Sequence, residues 1–160
     1  MFGLSGSLAP SSANSAVLEA VSRMAGDDLV DLWHGLGEVP PFRPEDEGDD
    51  VVASLRHAIA MADVVVIATP EYAGGMPGVL KNALDWLVGS GELYGKPVLV
   101  VSAAPAAERG GNARRWVEEV ALMQGATVIG SFTVPVVRAD PAAVDRAGRA
   151  VLDRLADVRV

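Results

Sequence analysis

The stretch Val64-Val65-Val66-Ile67-Ala68-Thr69-Pro70-Glu71-Tyr72-Ala73-Gly74-Gly75-Met76-Pro77-Gly78-Val79-Leu80-Lys81-Asn82-Ala83-Leu84-Asp85-Trp86 decides how this chain folds. Its first five residues are an unbroken apolar run rich in β-branched side chains, the pattern of a strand buried on both faces. A Pro- and Gly-rich loop follows, and a helix opens near Pro77, a residue favoured in a first helical turn. In open α/β sheets, ligands settle in the crevice beyond the carboxyl ends of the strands. This loop would bring an acid, an aromatic ring and bare backbone amides to that crevice. Such a setting suits a flat ring with polar edges.

The same alternation extends in both directions. Residues 1–4 form the tail of a short first strand, and residues 13–25 a helix with Ser11 or Ser12 as its N-cap. A second short strand falls at residues 29–32. After a polar loop carrying Pro40, Pro41 and Pro44, residues 51–62 place Val52, Leu55, Ile59 and Ala62 on one helical face. The third strand covers 63–69 and the next helix 77–88. A fourth strand runs over 97–103, around the apolar Val98-Leu99-Val100-Val101. A helix at 112–124 ends at Gly125 as its C′ residue. The fifth strand starts at 126–129 and resumes at 132–136, and a last helix spans 141–155. Strands three and four are continuously apolar, so both sheet faces are covered. Five strands and five helices then make an α/β, three-layer, doubly wound domain with a parallel sheet.

Composition narrows the function classes. One domain of 160 residues, half of them hydrophobic, is long enough for a sizeable single core. The formal charge of −8 argues against nucleic acid and anionic membranes as partners. Cysteine is absent, which removes disulfides, thiolate metal sites and a Cys nucleophile. No apolar run approaches the ~20 residues needed to span a bilayer. A cytoplasmic protein is the expectation. The two histidines, His34 and His57, are isolated, so no metal site is expected. The acidic run from Glu45 to Asp50 reads as a solvated loop. Gly3-Leu4-Ser5-Gly6-Ser7 fails the last position of a nucleophile elbow.

Three loops are site candidates. Gly6-Ser7-Leu8-Ala9-Pro10-Ser11-Ser12-Ala13-Asn14 joins the first strand to its helix. Small residues, hydroxyls and amides at a helix N-terminus make a phosphate cradle, although an N-capped turn without ligand accounts for the segment equally well. The pattern is neither a Walker loop nor a dinucleotide fingerprint. The loop from Pro70 to Gly78 is the second. A plain strand-to-helix connection explains Pro77 and Gly78 but not Glu71-Tyr72. The third runs from Ser102 to Asn112 and carries Gly110-Gly111; alone it is a plain loop. All three leave the same sheet edge, and that convergence builds one crevice.

Together these segments resemble the NADPH-dependent FMN reductase family, whose fold is flavodoxin-like, with strand order 2-1-3-4-5. Gly6-Ser7-Leu8 with Ser12-Ala13-Asn14 is similar to that family's phosphate loop, and Thr69-Pro70-Glu71-Tyr72 with residues 77–86 to its flavin loop and following helix. Asp31-Leu32-Trp33 with Leu36, Pro40 and Phe42, and Gly91-Glu92-Leu93 with Gly95-Lys96-Pro97-Val98, continue the likeness. The resemblance implies FMN as cofactor and NADPH as co-substrate. Ser7, Ser12 and Asn14 would hold the phosphate. Pro70, Glu71, Tyr72, Ala73 and Gly74 would border the ribityl chain and ring, and Ser102, Gly110 and Gly111 the pyrimidine edge. No side chain is expected to act as acid or base, because the cofactor carries the chemistry.

Two positions depart from the family pattern. Ala9 replaces an Arg and Ala73 an Asn. The first removes a charge-assisted contact of about 1.5–3 kcal/mol, hence about ten- to hundredfold in FMN affinity. The expected enzyme passes hydride from NADPH through FMN to a quinone, flavin or other small electron acceptor. The resemblance also implies a homodimer or homotetramer, formed by helices beside the flavin, with Trp86, Val79, Leu80, Ala83 and Leu87 as interface or core. Rival readings are a flavin-binding electron carrier, and a flavin-free relative that acts through protein contacts.

Overall fold

The computed structural model describes residues 1–26 and 30–157. Strands and helices alternate: β1 (Phe2–Ser5), α1 (Ala13–Ala25), β2 (Asp31–Trp33), α2 (Asp50–Met61), β3 (Val65–Ala68), α3 (Gly78–Asp85), β4 (Pro97–Ala104), α4 (Gly111–Met123), β5 (Thr127–Pro135) and α5 (Pro141–Asp157). A short 3-10 helix, Gly35–Glu38, follows β2. The strands form one parallel sheet in the order β2-β1-β3-β4-β5, the flavodoxin-like arrangement expected.

The apolar runs are explained by which face each residue takes. On one face Val65, Ile67, Val98 and Val100 pack with Leu55 and Ile59 of α2, Leu80 and Leu84 of α3, and Val117 of α4. On the other, Val66, Ala68, Leu99 and Val101 pack with Val17 and Val21 of α1 and Val144 and Val151 of α5. Successive strand residues point to opposite faces, so covering both faces demands an unbroken apolar sequence. β1 is paired on both sides, and Phe2 and Leu4 are buried. The short strand is a core element.

Helix starts follow local chemistry. Ser12 Oγ accepts from the Ser15 amide at 3.3 Å, which makes it the N-cap of α1. Asp49 Oδ1 accepts from Val51 and Val52 at 3.0 and 3.1 Å at the head of α2. The acidic loop before α2 thus spends Asp49 on a cap, and Asp46 on the Gly48 amide. Gly125, with φ of 78°, closes α4 as expected.

Three expectations need correction. β5 runs without interruption from Thr127 to Pro135: its pairing with β4 steps from Val98–Val128 to Leu99–Gly130, so a bulge absorbs the irregular stretch that suggested a break. Helix α3 stops at Asp85 instead of 88. Arg56 donates to the Trp86 carbonyl through Nε at 3.2 Å and Nη2 at 2.9 Å, and Leu87 turns back tightly onto Leu84. β2 lies at 31–33, and Leu29 falls outside the described residues. Trp86 and Leu80, Ala83 and Leu87 are core; Val79 alone of the five interface candidates is exposed. The Trp86 indole N–H donates to Pro40 O at 2.8 Å, and Phe42 meets the ring edge-on.

Candidate functional site

The three loops converge at the carboxyl edge, and side chains tie them together. The Ser7 and Tyr72 hydroxyls, from the loops after β1 and β3, lie 3.3 Å apart. Ser102 Oγ, buried at the end of β4, donates to the Thr69 carbonyl at 2.6 Å. Asn14 Oδ1, in the first turn of α1, accepts from the Ala103 amide at 2.8 Å. Glu71 Oε2 accepts from the amides of Asn112 and Ala113 at 3.0 and 3.3 Å. A cleft of about 400 Å³ opens between Pro70 and Glu71 on one side and the β4 loop, with Ser102, Arg109 and Gly110, on the other. Ligand pockets commonly start at this size.

Some predicted residues face this cleft and others are engaged elsewhere. Pro70, Glu71, Ser102 and Gly110 line it; Ser7, half-buried, and Ser12, a cap whose O–H has no acceptor among the described residues, lie outside its lining. The amides of Ala13 and Asn14, in the first turn of α1, have no acceptor within the helix. The Asn14 side chain, 3% exposed, spends its oxygen on β4 rather than on a phosphate. The Glu71 side chain turns to α4. Glu71 and Pro70 nonetheless both line the cleft.

Tyr72, Ala73, Gly74 and Gly75 form a two-residue hairpin turn. Tyr72 and Gly75 exchange both backbone hydrogen bonds at 3.0 Å, and Ala73 and Gly74 have φ of 50° and 79°. Positive φ at both central residues defines a type I′ turn, which favours Asn-Gly. Ala73 thus occupies a place whose first demand is on the backbone.

At the far end, Gly110 has φ of 80°, and a Cβ there would stand 2.2 Å from Ser102 Oγ. Only glycine fits. Glu71 takes the Asn112 and Ala113 amides, which leaves Gly111 as the first-turn donor of α4 without a partner among the described residues. Of the three nearby arginines, Arg109 alone lines the cleft; Arg114 reaches Ser131 and Arg115 reaches Asn112.

Sequence reading missed two supports. Thr133 Oγ1, near the end of β5, donates to the Arg109 carbonyl at 2.7 Å and holds the β4 loop. Trp116 lies under the hairpin turn: a Cβ on Gly75 would come 2.9 Å from its ring. The spacing of four from Asn112 puts Trp116 on the same helix face, which is the signal that could have found it.

The family model for NADPH-dependent FMN reductases matches residues 1–140. This chain belongs to the NADPH-dependent FMN reductase family. Over 104 residues it is 35% identical to a 2-hydroxy-1,4-benzoquinone reductase of a Burkholderia species, a match covering 62% of this chain and 57% of that protein. It is 34% identical over 108 residues to a quinone reductase of Escherichia coli K12, with 63% and 57% covered. The matches thus span less than two thirds of the length of these curated relatives. Among solved structures, the flavoenzyme NAD(P)H:(acceptor) oxidoreductase FerB of Paracoccus denitrificans superposes with a TM-score of 0.76, 22% identity and coverage of 97% and 94%. General stress protein 14 of Treponema denticola, solved in complex with FMN, gives 0.65, 22%, 99% and 98%. Both show the fold this family member shares. No helix among the described residues is long and apolar enough to cross a membrane.

Proposed function

We propose that this chain is an FMN-dependent oxidoreductase that passes hydride from NADPH to a quinone, flavin or other small acceptor. The observation that carries the reading is the cleft between the β3 and β4 loops, with the α1 N-terminus tied to the same edge through Ser7–Tyr72 and Asn14–Ala103. The residues present fit FMN. Ser7 and Ser12 hydroxyls and the first-turn amides of α1 would hold the phosphate. The main chain of Pro70 and Glu71, with Tyr72, Ala73 and Gly74, would border the ribityl chain and ring. The Gly111 amide would meet the ring's polar edge, with Gly110 and Ser102 shaping the approach. Asn14 would contribute by fixing α1 to β4.

When bound, FMN supplies the hydride chemistry, and the protein supplies orientation and polarity. The Gly111 amide favours negative charge beside it, because it sits at the positive end of α4. Arg109 is the cation available at the cleft for an anionic part of NADPH. The exposed Val88, Trp116 and Met123 offer an apolar face for a second copy, which supports a homodimer or homotetramer. The same reading makes the protein cytoplasmic. A second reading, a flavin-free relative, is favoured by one observation: residues 6–14 carry no basic side chain.

An absorbance spectrum of the purified chain, followed by FMN titration, tests the proposal. A bound flavin, or saturable quenching of FMN fluorescence, supports it, and NADPH oxidation with quinones then separates the reductase from an electron carrier. No binding at millimolar FMN leaves the flavin-free relative.

A further inference from the structure

Glu71 lines the cleft, but its carboxylate is engaged by backbone amides of α4. The N-cap position of α4 is Gly110, which has no side chain to cap the helix, and the first turn contains no acidic residue. The first-turn amides have no acceptor within the helix. A carboxylate from the β3 loop, 41 and 42 positions earlier in the chain, takes the amides of Asn112 and Ala113. A helix cap is normally local; this one is tertiary. It joins the hairpin turn to the helix whose first amide, that of Gly111, has no partner among the described residues.

A second contact reinforces the joint. The Gly75 backbone rests on the ring of Trp116, closely enough that no Cβ fits between them. The turn that carries Tyr72 is thus clamped to α4 on both flanks, by Glu71 before it and Gly75 at its end. Tyr72 in turn reaches Ser7, so an error in the clamp propagates to the α1 loop.

We propose that Glu71 is a positioning residue. By capping α4 it fixes the hairpin turn of residues 72–75 and the Gly111 amide relative to each other, and so sets the spacing between the two walls of the flavin site. The inference rests on the FMN reading above. A side chain pointing at the ligand would act by direct contact; Glu71 acts through α4.

The test compares wild type with Glu71→Ala and Glu71→Gln. Two readouts are needed: amide hydrogen exchange at Asn112 and Ala113 in the flavin-free protein, and FMN affinity by fluorescence quenching. In E71A the two amides should exchange faster, and FMN should bind about three- to thirtyfold more weakly, the range spanned by losing one helix cap. E71Q keeps an acceptor oxygen and should recover most of both effects. Unchanged exchange at the two amides in E71A overturns the cap. Faster exchange with FMN affinity within about twofold of wild type overturns the positioning role. Equal failure of E71Q and E71A in affinity, with E71Q exchange restored, assigns Glu71 to direct ligand contact instead. Absence of FMN binding by the wild-type chain removes the flavin reading itself, and the exchange result then stands alone as a structural cap.

Discussion

The loop of residues 6–14 and the loops of residues 69–75 and 102–112 leave the same sheet edge but hold their shapes by different means. The first is organised locally: Ser12 caps its own helix, Ser7 accepts from the Ala9 amide, and Leu8, Ala9, Pro10 and Ser11 are exposed. The second pair is organised across the sheet, by Ser102 on Thr69, Glu71 on α4 and Thr133 on Arg109. A locally built loop tolerates change at its exposed positions, so losing a side chain there costs affinity and little stability. A loop pinned by long-range side-chain bonds resists change, and damage there costs both.

The largest expected effect lies on the pinned side. Gly110→Ala places a Cβ 2.2 Å from Ser102 Oγ at a φ of 80°. Left-handed strain and overpacking together should cost about 2–5 kcal/mol. Urea unfolding measures this directly. Ser102→Ala in the same chain should recover part of the loss, because the clashing oxygen is gone; full additivity of the two changes would contradict the geometry.

On the exposed side the expected gain is in affinity. Ala9→Arg restores a cation beside the proposed phosphate position, and should tighten FMN about ten- to hundredfold. Riboflavin, which lacks the phosphate, should bind as before, and the gain should shrink as salt rises. An equal gain for both ligands would place the phosphate elsewhere. The urea midpoint should stay put, since residue 9 is exposed.

Asn14 is the point where the two regions meet, so its loss should fall between them. Asn14→Ala leaves the Ala103 amide without its acceptor and should destabilise the fold by about 1–3 kcal/mol. FMN affinity should fall with it, through the shift of α1 against β4. A variant that loses FMN affinity with no change in unfolding midpoint would show that Asn14 touches the ligand after all.

The contrast also explains what could be read from the sequence. The parallel sheet and the shared loop edge were legible, because apolar runs such as Val64 to Ala68 and caps such as Ser12 are local signals; the strand order came only with the family resemblance. The N-capped loop of residues 6–14 was legible for the same reason. The tertiary bonds were not. Asn14 reads as a polar residue free for a ligand until β4 is placed beside it, and Glu71 reads as a lining residue alone until α4 begins next to it. The bulge in β5 likewise follows from its register against β4, which no window of β5 alone contains. Partner choice by Asn, Glu and Ser is decided by groups distant in sequence.

The smallest expected effect separates backbone from side chain at the hairpin turn. Ala73 has φ of 50°, a conformation that costs an L-residue with a Cβ about 1–2 kcal/mol. Asparagine tolerates it better through local hydrogen bonding, and Asn-Gly is the favoured pair for a type I′ turn. Ala73→Asn should therefore stabilise the fold by about 0.5–1 kcal/mol, raising Tm by about 1–4 °C. Ala73→Gly relieves the same strain without adding a polar group. If both variants gain stability and neither changes FMN affinity, the departure at residue 73 is a matter of turn geometry alone. If only Asn tightens FMN, the carboxamide reaches the ligand, and the loop at 72–75 shares with residues 6–14 the habit of losing affinity through an exposed alanine.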